Sequence, residues 1–134
     1  FRGLGEQRVW DLCDLAFARD LPQAIRSLRS MLARGEAGLP ILAGIASRLR
    51  ELIRVRAQPS QLSDIDLAKA AGLRFDWQAR RYRQQATGYT MDELVRLHGL
   101  VVEADRSLKT GAEDDVVLSV LVAEIAGDRA RRAG

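Results

Sequence analysis

Apolar residues recur every three or four positions along almost the whole chain, and nowhere do they alternate convincingly with polar ones. That period admits helices and rules out a sheet as the main framework. Val9, Leu12, Cys13, Ala16 and Phe17 form the stripe of a first helix. Asp20 suits the N-cap of a second, with Pro22 in its first turn and Gly35 as its stop. Its apolar face is Ala24, Ile25, Leu28, Met31 and Leu32. A third helix is predicted over about residues 39–57, entered through Pro40, with face Ile41, Leu42, Ile45, Leu49, Leu52 and Ile53. Pro59 bars its continuation. A short fourth helix follows near residues 64–71 and a fifth over roughly 76–86. Thr90 and Glu93 have the spacing of a capping box for a sixth, which runs to about Lys109 before Gly111. The last begins near Asp114 and carries Val117, Leu118, Leu121, Val122 and Ile125. With no linker, repeat or low-complexity segment, the expectation is one all-α domain over residues 1–134. It is a compact bundle of six or seven helices whose connections are too short to build a cofactor cleft.

Charge and cysteine usage narrow what such a bundle can meet. The formal net charge is only +3, from 21 basic and 18 acidic side chains, and the run Arg129, Ala130, Arg131, Arg132 supplies that surplus alone. A phosphate-binding footprint needs basic charge that is clustered. Cys13 is the only cysteine, so neither an internal disulfide nor a cysteine metal cluster can form, which suits a reducing cytoplasm. No apolar run approaches the ~20 residues of a membrane span. The chain starts at Phe1 without a signal-peptide pattern and is expected to be a piece of something longer.

The stretch LAKAAGLRFDWQARRYRQQA, residues 67–86, has the outline of a helix-turn-helix. Ala68 and Gly72 fit the common pattern, but the next apolar positions fall on Gln78 and Arg81. A turn one residue longer brings Ala79 and Tyr82 into place, with Ala86 extending that face, so a helical hairpin fits better than a base reader. Arg80, Arg81 and Arg83 are candidate phosphate contacts, against the plainer alternative of a solvated helix face. A helix-turn-helix DNA-binding regulator using residues 64–86 is the competing function.

No constellation for catalysis stands out, and no catalytic, cofactor-binding or metal residue is singled out. His98, the only histidine, shares a stripe of the sixth helix with Leu94, Val95, Val101 and Val102, as a core or boundary residue would. The "GLG" at residues 3–5 is too short for a phosphate loop. Asp114 and Asp115 open a helix, where carboxylates suit the dipole. One feature is unusual. At 100° per residue, Asp105 falls near the centre of the sixth helix's apolar face, and Arg56 falls within that of the third. A charge facing a core needs a partner. An Asp105–Arg56 pair is one hypothesis, Arg50 is an alternative donor, and a wet Asp105 at the bundle edge is the third possibility. Lys109 lies one turn beyond and is placed to screen it.

The stretch EADRSLKTG, residues 103–111, resembles the end of a long helix in the C-terminal domain of the delta subunit of bacterial DNA polymerase III. Asp105, Lys109, Thr110 and Gly111 match that helix-end motif. The three opening helices agree in order, including Gly35-Glu36 after the second, as do "LAKAAGL", the Trp77 helix, "QQA" and "TMDEL". Arg50 and Arg56 fall where the family carries a basic residue. Asp76 departs from it, standing where the family often has Pro, and both types suit a helix start. The resemblance covers residues 7–125. It implies a clamp-loader collar domain that packs with the equivalent domains of the gamma/tau and delta-prime subunits. It further implies no cofactor, no intrinsic activity, and DNA contact that is indirect or weak. The sliding clamp would be met only through domains absent here. Trp77, Leu97 and Leu100 are the expected interface residues. Leu100 and Trp77 lie opposite the main stripes of their helices.

Overall fold

A computed structural model describes residues 4–127. Among the described residues the chain forms seven helices: α1 (Leu4–Phe17), α2 (Leu21–Ala33), α3 (Gly38–Arg56), α4 (Asp64–Ala71), α5 (Asp76–Thr87), α6 (Met91–Lys109) and α7 (Asp114–Ala126). The basic run at 129–132 lies outside the described residues.

Most helix starts are made locally. The Asp20 carboxylate accepts from Gln23 N at 3.3 Å, and Ser63 Oγ accepts from Asp66 N at 3.1 Å. At α6 the Thr90–Glu93 box closes in both directions, at 3.0 and 2.8 Å. Such caps satisfy N–H groups that have no partner within the helix. Gly35 and Gly72 leave α2 and α4 at φ of 86° and 70°, the left-handed region where other side chains are strained.

The start of α3 is made differently. Ala37 has no capping side chain, and Gly38 N instead donates to Asp114 Oδ2 at 2.8 Å. Thus one carboxylate of the Asp114–Asp115 pair, which opens α7, also caps α3 from across the fold. A Cβ on Gly38 would meet that carboxylate at 2.5–2.9 Å, so glycine is what lets the two helix ends approach.

The middle of the bundle is α3, which packs against α1, α4, α5, α6 and α7. The α4–α5 hairpin rests on it, α6 also packs on α7, and α2 is held by α1 and α7. Leu12, Leu28, Ile45, Leu49, Leu94 and Leu118 are among the buried residues that join these helices into one core. A polar latch closes the far end. Arg19 sits at φ 62°, a conformation that costs a non-glycine residue roughly 1–2 kcal/mol. Its guanidinium compensates by donating to Gly127 O at 2.6 Å and Gly88 O at 2.9 Å, while pairing with Glu93 at 3.2 Å over the Tyr89 ring. The turn after α1 is thereby tied to the ends of α5 and α7.

The orientation of α6 differs from the sequence expectation. Its buried residues are Leu94, Leu97, Val101 and Ala104. The buried face is therefore turned by most of one residue's angular step, about 100°, from the stripe Leu94, Val95, His98, Val101, Val102. Two corrections follow. Leu97 is fully buried in the core and is not an outer residue. Asp105 lies at the margin of the bundle, bonded to Lys109 at 2.9 Å, so the Asp105–Arg56 pair does not form. Arg56 Nε instead donates to Tyr89 O at 3.2 Å, and Arg50 is solvent-exposed. Periodicity alone could not separate the two overlapping stripes, because both contain Leu94 and Val101. Packing of α6 on both α3 and α7 selects the one that faces between them.

Candidate interaction surfaces

The polar centre of the molecule is an arginine that the sequence reading passed over. Arg48 stands in the line Ile41, Ile45, Arg48, Leu52, Val55, where every other member is buried and apolar, and it is itself only 3% exposed. Its Nη1 donates to Asp14 Oδ1 at 2.7 Å and to Gln85 Oε1 at 3.1 Å. Gln85 Nε2 donates to the same carboxylate at 3.0 Å, and Arg81 Nη1 donates to its other oxygen at 2.9 Å. The guanidinium lies 4.8 Å from the Trp10 ring centre and 4.4 Å from that of Tyr82. Burial opposes its charge, but Cys13, Tyr82 and Asp14 together raise its pKa. Burial also pushes the Tyr82 hydroxyl up to about 12, against the pull of Arg48, and the Cys13 thiol likewise to about 12. Glu51 is raised by burial as well, opposed by Arg48, Arg54 and Arg50. The Arg48, Asp14, Gln85 and Arg81 contacts tie α1, α3 and α5 together.

On this base stands an aromatic ledge. Trp77 packs against Trp10 at 5.9 Å and stacks on Phe75 at 6.0 Å and 11°. Trp77 is nevertheless 54% exposed, and Phe75 is exposed as well. Arg74 lies over Phe75 and Arg81 over Trp77, at 5.3 and 5.7 Å. The hairpin beneath uses the longer turn, with Ala79, Tyr82 and Ala86 all buried. Gln78 is buried too, and its Oε1 accepts from Phe75 N at 2.8 Å, which satisfies the start of α5. The three candidate phosphate contacts do not form one free face. Arg81 is held by Asp14, and Arg83 donates to Leu62 O at 2.7 Å and lies 3.9 Å from Asp64. Arg80 is exposed.

A groove of ≈ 680 Å³ runs between α1 and α3, walled mainly by Val9, Trp10, Cys13 and Gly44 with Ser47 and Glu51 among its polar lining. Gly44 lets the two helices approach closely there. A Cβ there would overlap the Val9 side chain. Among the described residues no three His, Cys, Asp or Glu side chains converge as metal ligands would. Nor is any described helix long and apolar enough to cross a membrane.

An open apolar line belongs to α7. Leu118, Leu121, Val122 and Ile125 face the core. On the other side Val116 is 58% and Val120 60% exposed, with Ala123 continuing the line at helical spacing. A helix apolar all round is normally covered on all sides. Beside this line, α6 and α7 enclose a groove of ≈ 310 Å³, lined by Leu100, Glu103, Ser107, Val116, Val120 and Glu124 among others. Of the expected interface residues, Leu100 is thus half-buried in a groove, Trp77 is open, and Leu97 is internal. Sequence inspection could have found the α7 line, since Val116, Val120 and Ala123 lie outside the stripe assigned to the core.

The chain matches the family model of the DNA polymerase III delta subunit, C-terminal domain, over residues 6–124, and belongs to that family. Its fold is similar to that of the Bacillus subtilis DNA clamp loader delta protein (YqeN), with a TM-score of 0.77 at 17% sequence identity. The similarity covers 92% of this chain and 37% of that one, so the chain spans well under half of that protein's length. No curated protein matches it in sequence.

Proposed function

We propose that the chain is an assembly module of the bacterial clamp loader. It packs with the equivalent domains of the gamma/tau and delta-prime subunits into a helical collar that holds the loader together in the cytoplasm. The observation that carries this reading is α7, whose inner face closes the core while Val116 and Val120 stand in solvent. Open apolar lines of this kind mark surfaces that a partner covers. Contact with the sliding clamp and ATP binding fall to other domains of such a subunit. Native mass spectrometry of the folded chain with gamma/tau and delta-prime from the same organism is expected to give a stoichiometric complex. A folded chain that stays alone among them would overturn the reading.

A second reading concerns the ledge. Two stacked, exposed rings with Arg74 over one of them, and with the exposed Arg80 one turn along α5 from Trp77, are the chemistry that takes unstacked bases and their phosphates. We propose that this ledge touches a single strand of the DNA that the loader handles. It does so by stacking, without the base-edge reading of a helix-turn-helix, because Arg81 and Arg83 are engaged within the chain. The test is a salt titration of single-stranded DNA affinity. Trp77→Ala is expected to weaken binding about tenfold or more, and equal affinity for both proteins would remove the reading.

A further inference from the structure

We infer that the α6–α7 groove receives an amphipathic helix from a neighbouring loader subunit, one whose apolar stripe is flanked by an arginine or lysine. This rests on the collar reading and adds to it both the docking site and the chemistry of what docks.

The shape favours a helix. The apolar lining comes from side chains of two packed helices, Leu100 and Ala104 from α6 and Val116, Val117, Val120 and Leu121 from α7. Neither helix offers unpaired backbone along its length, so an extended peptide would have nothing to pair with. Val116, Val120 and Ala123 span two turns of α7, or about 10 Å of rise. A facing helix fills that length with apolar residues at i, i+3 or i+4, and i+7. Branched side chains standing about half-exposed leave clefts that small or branched apolar residues fill.

The charge favours a basic flank. The groove's lining includes two carboxylates, Glu103 and Glu124, and no basic side chain. Glu124 is already met by Arg96 at 3.1 Å. Lys109, at the far end of α6, is engaged with Asp105. Asp115, at the start of α7, accepts among the described residues only from the hydroxyl of Ser119, at 3.2 Å. Glu103 is exposed on the groove wall, and no described cation pairs with it. A guanidinium or ammonium on the incoming helix completes that wall, and an acidic helix is repelled by it.

The test uses the full-length delta subunit with gamma/tau and delta-prime, in binding measurements at two or more salt concentrations. Three variants are compared with the wild type, each first shown by circular dichroism to melt as the wild type does. Val120→Asp places a charge in the apolar lining and is expected to weaken association by about 100-fold. Glu103→Arg reverses the wall and is expected to weaken it about tenfold and to flatten its salt dependence. Val95→Asp is the control, an equally exposed valine on the other side of α6, and is expected to assemble as the wild type does. If the wild type assembles and both groove variants match it, the groove is not the docking site and only the collar reading survives. If the folded wild type fails to assemble, the collar reading fails and takes this inference with it. If Val120→Asp instead abolishes self-association of the subunit, the occupant is a second copy and the inference is likewise overturned.

Discussion

Replacing Asp14 by alanine strands a guanidinium in the core. The Arg48 side chain is 3% exposed and that of Asp14 24%, so the carboxylate is the wet end of the pair and the arginine the dry end. Without Asp14, Arg48 keeps Gln85 Oε1 and the two aromatic faces, but its counter-charge is gone. Arg81 and Gln85 Nε2 lose an acceptor at the same time. Breaking a buried pair from one side costs about 3–5 kcal/mol. Water can reach the Asp14 end, so the low end of that range applies, about 3 kcal/mol. For a chain of 134 residues the unfolding entropy is roughly 0.28 kcal/mol/K, which makes this a fall of about 10 °C in Tm. Replacing Arg48 by methionine should cost far less, about 1 kcal/mol. It sets a flexible thioether against Trp10 and Tyr82, and it leaves Asp14 with Arg81 and solvent. Urea unfolding of the two single variants and the double variant, at matched m-values, gives the coupling between the residues. The reasoning is refuted if Asp14→Ala costs under about 1 kcal/mol, or if Arg48→Met costs as much as Asp14→Ala. Either result would mean that Arg48 acts by filling space and not as a paired charge.

Three further outcomes are expected. Leu97→Ala should destabilise by about 2–5 kcal/mol in thermal or urea unfolding, and Val95→Ala by less than about 0.5 kcal/mol. Equal effects would contradict the orientation of α6. Alkaline stability should depend on Cys13, whose pKa is raised from 9.0 to about 12 in the fold. The contribution of its neutral thiol is complete below pH 9.0 and is lost as pH rises through about 12, amounting to at most about 4 kcal/mol. Cys13→Ala should therefore flatten the pH dependence of unfolding in that window, leaving the smaller slope due to Tyr82. An unchanged slope would assign the whole effect elsewhere. Finally, Gly99→Ala, with nothing near the added Cβ, should stabilise α6 by about 0.5–1 kcal/mol. Gly38→Ala should destabilise, because it displaces the Asp114 cap. A gain from both would show that the α3 cap is dispensable.

Much of the fold was legible because the signals that start and stop helices act over a few residues. Asp20, Thr90 with Glu93, and Gly35 mark helix ends wherever they occur, and the structure uses each of them. The longer hairpin turn was legible too, since only that register buries Ala79, Tyr82 and Ala86 together. Arg48 was half legible. The line Ile41, Ile45, Arg48, Leu52, Val55 shows a charge at a core position, but its partner Asp14 lies 34 residues earlier. Nothing local connects the two.

The sequence by itself determined which segments are helices, where they end, and that they must pack as a bundle, because periodicity and capping are interactions within one or two turns. Tertiary structure alone decided which way α6 faces, and that Asp114 caps the start of a helix 76 residues earlier in the chain. A stripe on a helix is read within about 100°, and that is the step separating a core leucine from a surface valine. Only the neighbouring helices, placed in space, resolve it.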